Sequence, residues 1–230
     1  MKQIKHLYIL FFALCIFSCN EKKKEKIIEN SNTEQPLSTA QKIANAHGFE
    51  NWSNVKTIAF TFGGKYEEPN SGRSWVWNPK TNDVTLTRGE ETSSYNRATI
   101  DSITIKSDRA FINDKFWALF PFQLVWDDGI TISEPIKELA PISKKEMNKI
   151  VLLYGNKVGY TPGDAYDVYY DDDFIVREWN FRKGNVSEAS LSNTFEKYDD
   201  FGGLKIAQEH KKGEGDWNLL VWEINVELEK

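Results

Sequence analysis

Cysteine, histidine and methionine are all scarce: two, three and two copies in 230 residues. Cys15 falls inside an apolar leader, so Cys19 has no thiol to pair with once that leader is removed, and a disulfide framework is excluded. His6 also precedes Cys19, leaving His47 and His210 as the imidazoles of the rest of the chain. His47 stands beside Gly48 at the expected end of a helix and His210 near the end of a strand, where structural or surface roles are ordinary. No His-Glu-x-x-His, Gly-x-Ser-x-Gly, Cys-x-x-Cys or phosphate-cradling glycine loop is present. The zinc-hydrolase, serine-hydrolase, dithiol and nucleotide-loop chemistries that need those spacings are therefore not expected, and neither is a cofactor. Positive charge is in short supply too. Removing Lys2 and Lys5 with the leader takes the formal net charge from −5 to −7, which disfavours a nucleic-acid partner.

Carboxylates, in contrast, are plentiful, and a glycosidase-like acid pair stays open as a minor alternative. Asp164, Asp167, Asp171, Asp172 and Asp173 crowd one region but lack the glycine and closing glutamate of a calcium loop, so they read as a solvated hairpin turn without a metal. Gly163 in the preceding Thr161-Pro162-Gly163 is expected to take a positive φ.

Long apolar runs are also missing, with one exception at the start. Residues 1–5 are basic, residues 7–17 are almost uninterruptedly apolar, and Ser18 is the small residue a signal peptidase requires. That is an export signal, too short to span a bilayer as a mature helix. Ser18-Cys19 resembles the lipobox of bacterial lipoproteins, with Ile16-Phe17-Ser18 in place of the usual Leu-Ala/Ser-Gly/Ala. The resemblance implies that residues 1–18 are a signal peptide and that Cys19 is acylated and becomes the new N-terminus. The chain would then be held in the cell envelope by its acyl groups, each buried methylene contributing about 0.8 kcal/mol, most simply at the outer membrane on its periplasmic or outer face. Residues 19–36 are polar, mixed in charge and free of aromatics, a flexible tether. Residues 37–230 have the length of one domain and contain all eight tryptophans.

Within that domain, helix signals are few. Ser38 and the following Ala40, Ile43, Ala44 and His47, closed by Gly48, predict one capped amphipathic helix. From Trp52 onward the apolar period falls to two, predicting strands over residues 55–62, 73–77 and 83–87, then over 147–154, 164–170, 174–182, 186–198, 204–211 and 219–228. Short links make these antiparallel neighbours. Residues 111–126 do not read as sheet: Asn113 or Asp114 can cap a short helix, Pro121 stops it, and apolar side chains point in nearly all directions. This segment reads either as a plug filling one end of a barrel or as the lining of an apolar cavity.

The helix ending in His47-Gly48-Phe49, Trp52 ahead of the first strand, Phe111 to Trp117 running into Phe120-Pro121-Phe122, residues 161–170 before Ile175-Val176-Arg177-Glu178-Trp179, and Gly202-Gly203-Leu204 together resemble an uncharacterised lipoprotein family of Bacteroidetes. That family is similar to the outer-membrane lipoprotein carrier superfamily. The resemblance implies an α+β fold: a curved antiparallel sheet, or half-open β-barrel, with an N-terminal helix, a central helical plug and acyl chains held inside. Soluble carriers shuttle, whereas a chain acylated at Cys19 is fixed, so an anchored binder is the closer analogy. Phe116, Trp117, Phe120 and Phe122, with Trp75 and Trp77 from one strand face, are the candidate wall of an apolar ligand site. The expected function is a non-catalytic, membrane-anchored lipoprotein that binds a lipid or acyl ligand. The alternatives are an interaction lipoprotein with a filled core or an undescribed carboxylate-dependent hydrolase.

Overall fold

Ser38 sets the first element as the sequence predicts. Its hydroxyl accepts from Gln41 N while the Gln41 side chain accepts from Ser38 N, a capping box that opens α1 (Thr39–Ala46). The computed structural model describes residues 36–68, 70–157 and 159–229, and Pro36–Lys230 form one unit. The leader, Cys19 and the tether up to residue 35 lie outside the described residues.

A 3-10 turn, Phe49–Asn54, leads into a meander of β1 (Val55–Phe62), β2 (Arg73–Asn78), β3 (Asp83–Arg88) and β4 (Glu91–Asn96). Two helices follow, α2 (Ile105–Ala118) and α3 (Phe120–Trp126), then the short strands β5 (Ile130–Ile132) and β6 (Ile136–Leu139). A second meander runs through β7 (Glu146–Tyr154), β8 (Ala165–Tyr170), β9 (Val176–Arg182) and β10 (Leu191–Thr194). The chain then returns through β11 (Glu196–Phe201), β12 (Leu204–Lys211) and β13 (Asn218–Leu228). The class is α+β, with two antiparallel sheets in the orders β11-β12-β13-β1-β2-β3-β4 and β10-β9-β8-β7-β5, β6 pairing with β7. Neither sheet closes into a barrel among the described residues.

Two expectations need correction. The extended segment predicted over 186–198 is divided: β10 pairs with β9, β11 pairs with β12, and only the buried Phe195 lies between them. The chain changes sheets there, and Lys197 takes a φ of 52° just past the crossing. The central helix is also longer than its apolar stretch suggests. It begins at Ile105 rather than at Asn113 or Asp114, because Asp101 Oδ1 accepts from the amides of Ile103 and Thr104 (3.0 and 2.8 Å) and starts the turn upstream. Asp114 is then free to serve inside the helix. The helix does end ahead of Pro121, at Ala118, but a second one follows at once, with Pro121 in the first turn of α3, where its missing N–H has no intrahelical partner to lose.

Two aromatic clusters form the interior, and α2 and α3 contribute to both. Phe116, Phe120 and Leu124 pack with Tyr154, Tyr166, Val168 and Trp179 of the second sheet. Phe111, Leu119 and Phe122 pack with Phe60, Trp75 and Trp77 of the first. Strand β8 is buried on both faces. Its outward side is covered by polar partners: Arg182 on Asp167 (3.0 Å) and Glu138 accepting from the Tyr169 hydroxyl (3.2 Å).

Candidate functional site

The six candidate wall residues do not enclose one cavity. Phe116, Trp117 and Phe120 converge on Trp179, with ring centroids 5.8, 4.9 and 4.7 Å away. Trp75 and Trp77 instead flank Phe111 at 5.3 and 5.5 Å, and Phe122 meets Trp52 at 5.8 Å. All but Trp117 are buried in close packing. Of the six, only Phe116 and Trp117 reach a cleft with an apolar lining, about 170 Å³ in volume, where they face Tyr160, Tyr166, Trp179, Phe181 and Leu191.

A second cleft, about 340 Å³, lies on the other side of Phe116 and is bounded by Arg97, Lys115, Gln123, Trp126, Asp127 and Tyr160. Phe116 and Tyr160 separate the two clefts. Their rings are stacked, 4.0 Å between centroids and 18° from parallel. The Tyr160 hydroxyl donates to Asn113 Oδ1 at 2.7 Å, and burial pushes it up to about 12. Tyr160 is carried by the β7–β8 connection, whose Gly159 and Gly163 have φ of 89° and 82°. The positive φ expected at Gly163 is thus observed.

The floor under this pair is held by Asp114, fully buried in α2. It accepts two bonds from the Arg73 guanidinium (both 2.7 Å), one from Trp75 Nε1 (2.8 Å) and one from Asn113 Nδ2 (2.9 Å). A buried carboxylate with four donors is fully compensated, and the arrangement ties α2 to β2 and orients Asn113 toward Tyr160.

Lys115 has a different environment. No carboxylate lies within ion-pair distance of it among the described residues, and its ammonium rests over Trp126 and Trp77 at 5.3 and 5.7 Å. Burial lowers it to about 8, the charge of Asp127 opposing. Asp127 is raised by burial and accepts from the Tyr154 hydroxyl at 2.5 Å. The Gln123 side chain is buried, and its amide nitrogen has no partner among the described residues. Tyr160, Lys115 and Gln123 were not among the residues the sequence marked. The signal available was a single amide inside Phe120–Trp126 and a single lysine between Asp114 and Phe116.

A larger cleft, about 750 Å³ beside β7 and β9, is lined by polar and apolar groups alike, and apart from the exposed Glu146 its carboxylates are occupied. Glu178 accepts from the amides of Ile142 and Ser143 (2.7 and 3.0 Å), Asp171 from Arg177 (2.7 Å), Asp172 from Lys137 (3.0 Å) and Glu196 from Lys211 (2.8 Å). Asp164 accepts from Gly184 N at 2.6 Å, 20 residues along the chain rather than within its own turn, and Asp167 is buried in β8 on Arg182 rather than solvated. No group of three or more His, Cys, Asp or Glu side chains among the described residues is placed to hold a metal. Both imidazoles are buried and outside these clefts, each with Nδ1 on a backbone carbonyl, His47 on Ile43 (2.8 Å) and His210 on Thr194 (3.1 Å). Desolvation lowers both to about 4. No protein-family model and no curated protein matches the chain.

Proposed function

We propose that the chain is a non-catalytic lipoprotein of the cell envelope, anchored through Cys19, that binds an apolar or acyl ligand beside α2. The observation that carries this reading is the pair of clefts that share Phe116 and Tyr160 in their walls, those two rings being stacked between them. Separately, the apolar one is too small for most ligands. Joined, they reach the size of ordinary ligand sites, about 300–1,000 Å³, with aromatic walls and a few polar groups. Tyr160 acts as the gate: its ring fills the slot that an apolar ligand would take against Phe116, and one hydrogen bond to Asn113 holds it there.

In this reading the two sheets are halves of one curved, half-open sheet wrapped around α2 and α3. The support is the crossing at Phe195, where Phe195 N donates to Arg177 O on one side (2.7 Å) and Lys211 N to Thr194 Oγ1 on the other (3.0 Å). The interior is filled by aromatic and aliphatic side chains, which favours a short ligand segment at one edge over several acyl chains held throughout, and keeps the filled-core interaction lipoprotein as the second reading. The test is equilibrium binding of a fluorescent fatty acid to the full chain in nanodiscs. Saturable binding that is lost in Leu191→Trp, which fills the apolar cleft from its partly exposed rim, is expected. No saturable binding by the unaltered chain would leave the filled-core reading.

A further inference from the structure

The polar cleft contains two groups whose bonding is incomplete. Among the described residues, the half-buried Lys115 lacks a carboxylate partner and rests over Trp126 and Trp77, and the Gln123 amide nitrogen is buried without any acceptor. Buried polar groups are nearly always bonded, so a buried amide donor without an acceptor, lining the same cleft as an ammonium without a carboxylate, marks a place where something else supplies acceptors. The other polar groups of the cleft are committed or peripheral. Arg97 is paired with Asp108 at 2.7 Å, Asp127 is engaged with Tyr154, and Asp128 is exposed at the rim.

We infer that this cleft is the head-group site for a single-chain amphiphile bearing a carboxylate, with Lys115 and Gln123 as its donors and the chain passing Phe116 into the Trp117 and Trp179 cleft when Tyr160 swings aside. The inference rests on the ligand-binding reading above and specifies its ligand class. One cation beside one neutral donor matches a planar group of single negative charge. A phosphate dianion would meet the same two donors with twice the charge, opposite Asp127 and Asp128. The apolar body finds Trp126 and Phe116 in the first cleft and Trp117, Tyr166 and Trp179 in the second. The carboxylate thus replaces water on Lys115, and the chain replaces the Tyr160 ring on Phe116.

The test uses the full chain in cell envelopes and a photoactivatable medium-chain fatty acid, with the corresponding alcohol as its uncharged counterpart. A charge-assisted hydrogen bond is worth about 1.5–3 kcal/mol, so the acid is expected to label peptides bearing Phe116, Tyr160 and Trp179 at least about tenfold better than the alcohol. Lys115→Gln should remove that preference and Lys115→Arg should keep most of it. Gln123→Met should weaken labelling while leaving the protein at least as stable, since it deletes an unsatisfied buried group, and it tests the site even if Lys115→Gln folds poorly. Equal labelling by acid and alcohol, unchanged in both variants, overturns the carboxylate inference and leaves the apolar site standing. No labelling by either probe overturns both.

Discussion

Replacing Phe120 by alanine should separate a filled interior from a hollow one. Phe120 is fully buried at the start of α3, and its ring meets four others: Trp179 at 4.7 Å, Phe116 at 5.4 Å, Phe195 at 5.8 Å and Tyr166 at 6.2 Å. These belong to α2, β8, β9 and the sheet crossing, so no single element can move to close the gap. The cost is then expected in the usual range for a buried phenylalanine, about 3–5 kcal/mol, a large part of the roughly 5–15 kcal/mol that holds a domain of this kind together. For a domain of this length that is a Tm lowered by about 10 °C. Tyr160→Ala, which removes a partly buried ring from a loop, should cost about 1 kcal/mol, and Trp117→Ala, partly exposed over Trp179, should lie between them. Denaturant melts of the three variants give the comparison. A loss at Phe120 below about 1 kcal/mol, or no larger than at Tyr160, would refute the packed arrangement of α3 against the second sheet.

Stability should also fall on acidification. His47 and His210 titrate near 6.5 when unfolded and about 4 when folded, so between those values the unfolded chain binds more protons. The contribution is complete above pH 6.5 and lost as pH drops toward 4, about 3 kcal/mol per imidazole, and His210→Phe should remove about half of that slope in melts at pH 7 and 4.5. Gly48→Ala should be far worse than Gly163→Val although both positions have positive φ. A Cβ at Gly48 would lie 1.9 Å from the Gly203 carbonyl oxygen and lift α1 off the β11–β12 turn, whereas at Gly163 the nearest atom is Asn156 Oδ1 at 3.4 Å. Thermal melts should show backbone strain alone, about 1–3 kcal/mol, at Gly163 and a larger loss at Gly48. Cys19→Ser should abolish incorporation of a palmitate analogue, and undiminished label would remove the lipoprotein reading.

Local signals carried most of the secondary structure. The capping box at Ser38, the strand over residues 204–211 and the paired faces of Trp75 and Trp77 follow from neighbours within a few residues. What could not be read locally was decided by partners far along the chain. Asp114 looks like a helix cap until Arg73 and Trp75 claim its carboxylate, 41 and 39 residues away. The break at Phe195 lies within an unbroken extended pattern and is fixed by pairing with two different strands. The aromatic residues of α2 and α3 were legible as a group, yet their division between two clusters depends on which sheet each faces. Tyr160 was hidden for a related reason: a tyrosine in a glycine-rich turn gives no sign that it will stack on a phenylalanine 44 positions earlier.

Native mass spectrometry of the full chain, released gently from its own membranes, tests the central claim most directly. A non-covalent species at about one per chain is predicted in addition to the acyl groups proposed on Cys19. It should have the mass of a single-chain apolar compound and be absent from Leu191→Trp. A chain that carries no such species, in the unaltered protein as in the variant, would contradict the account.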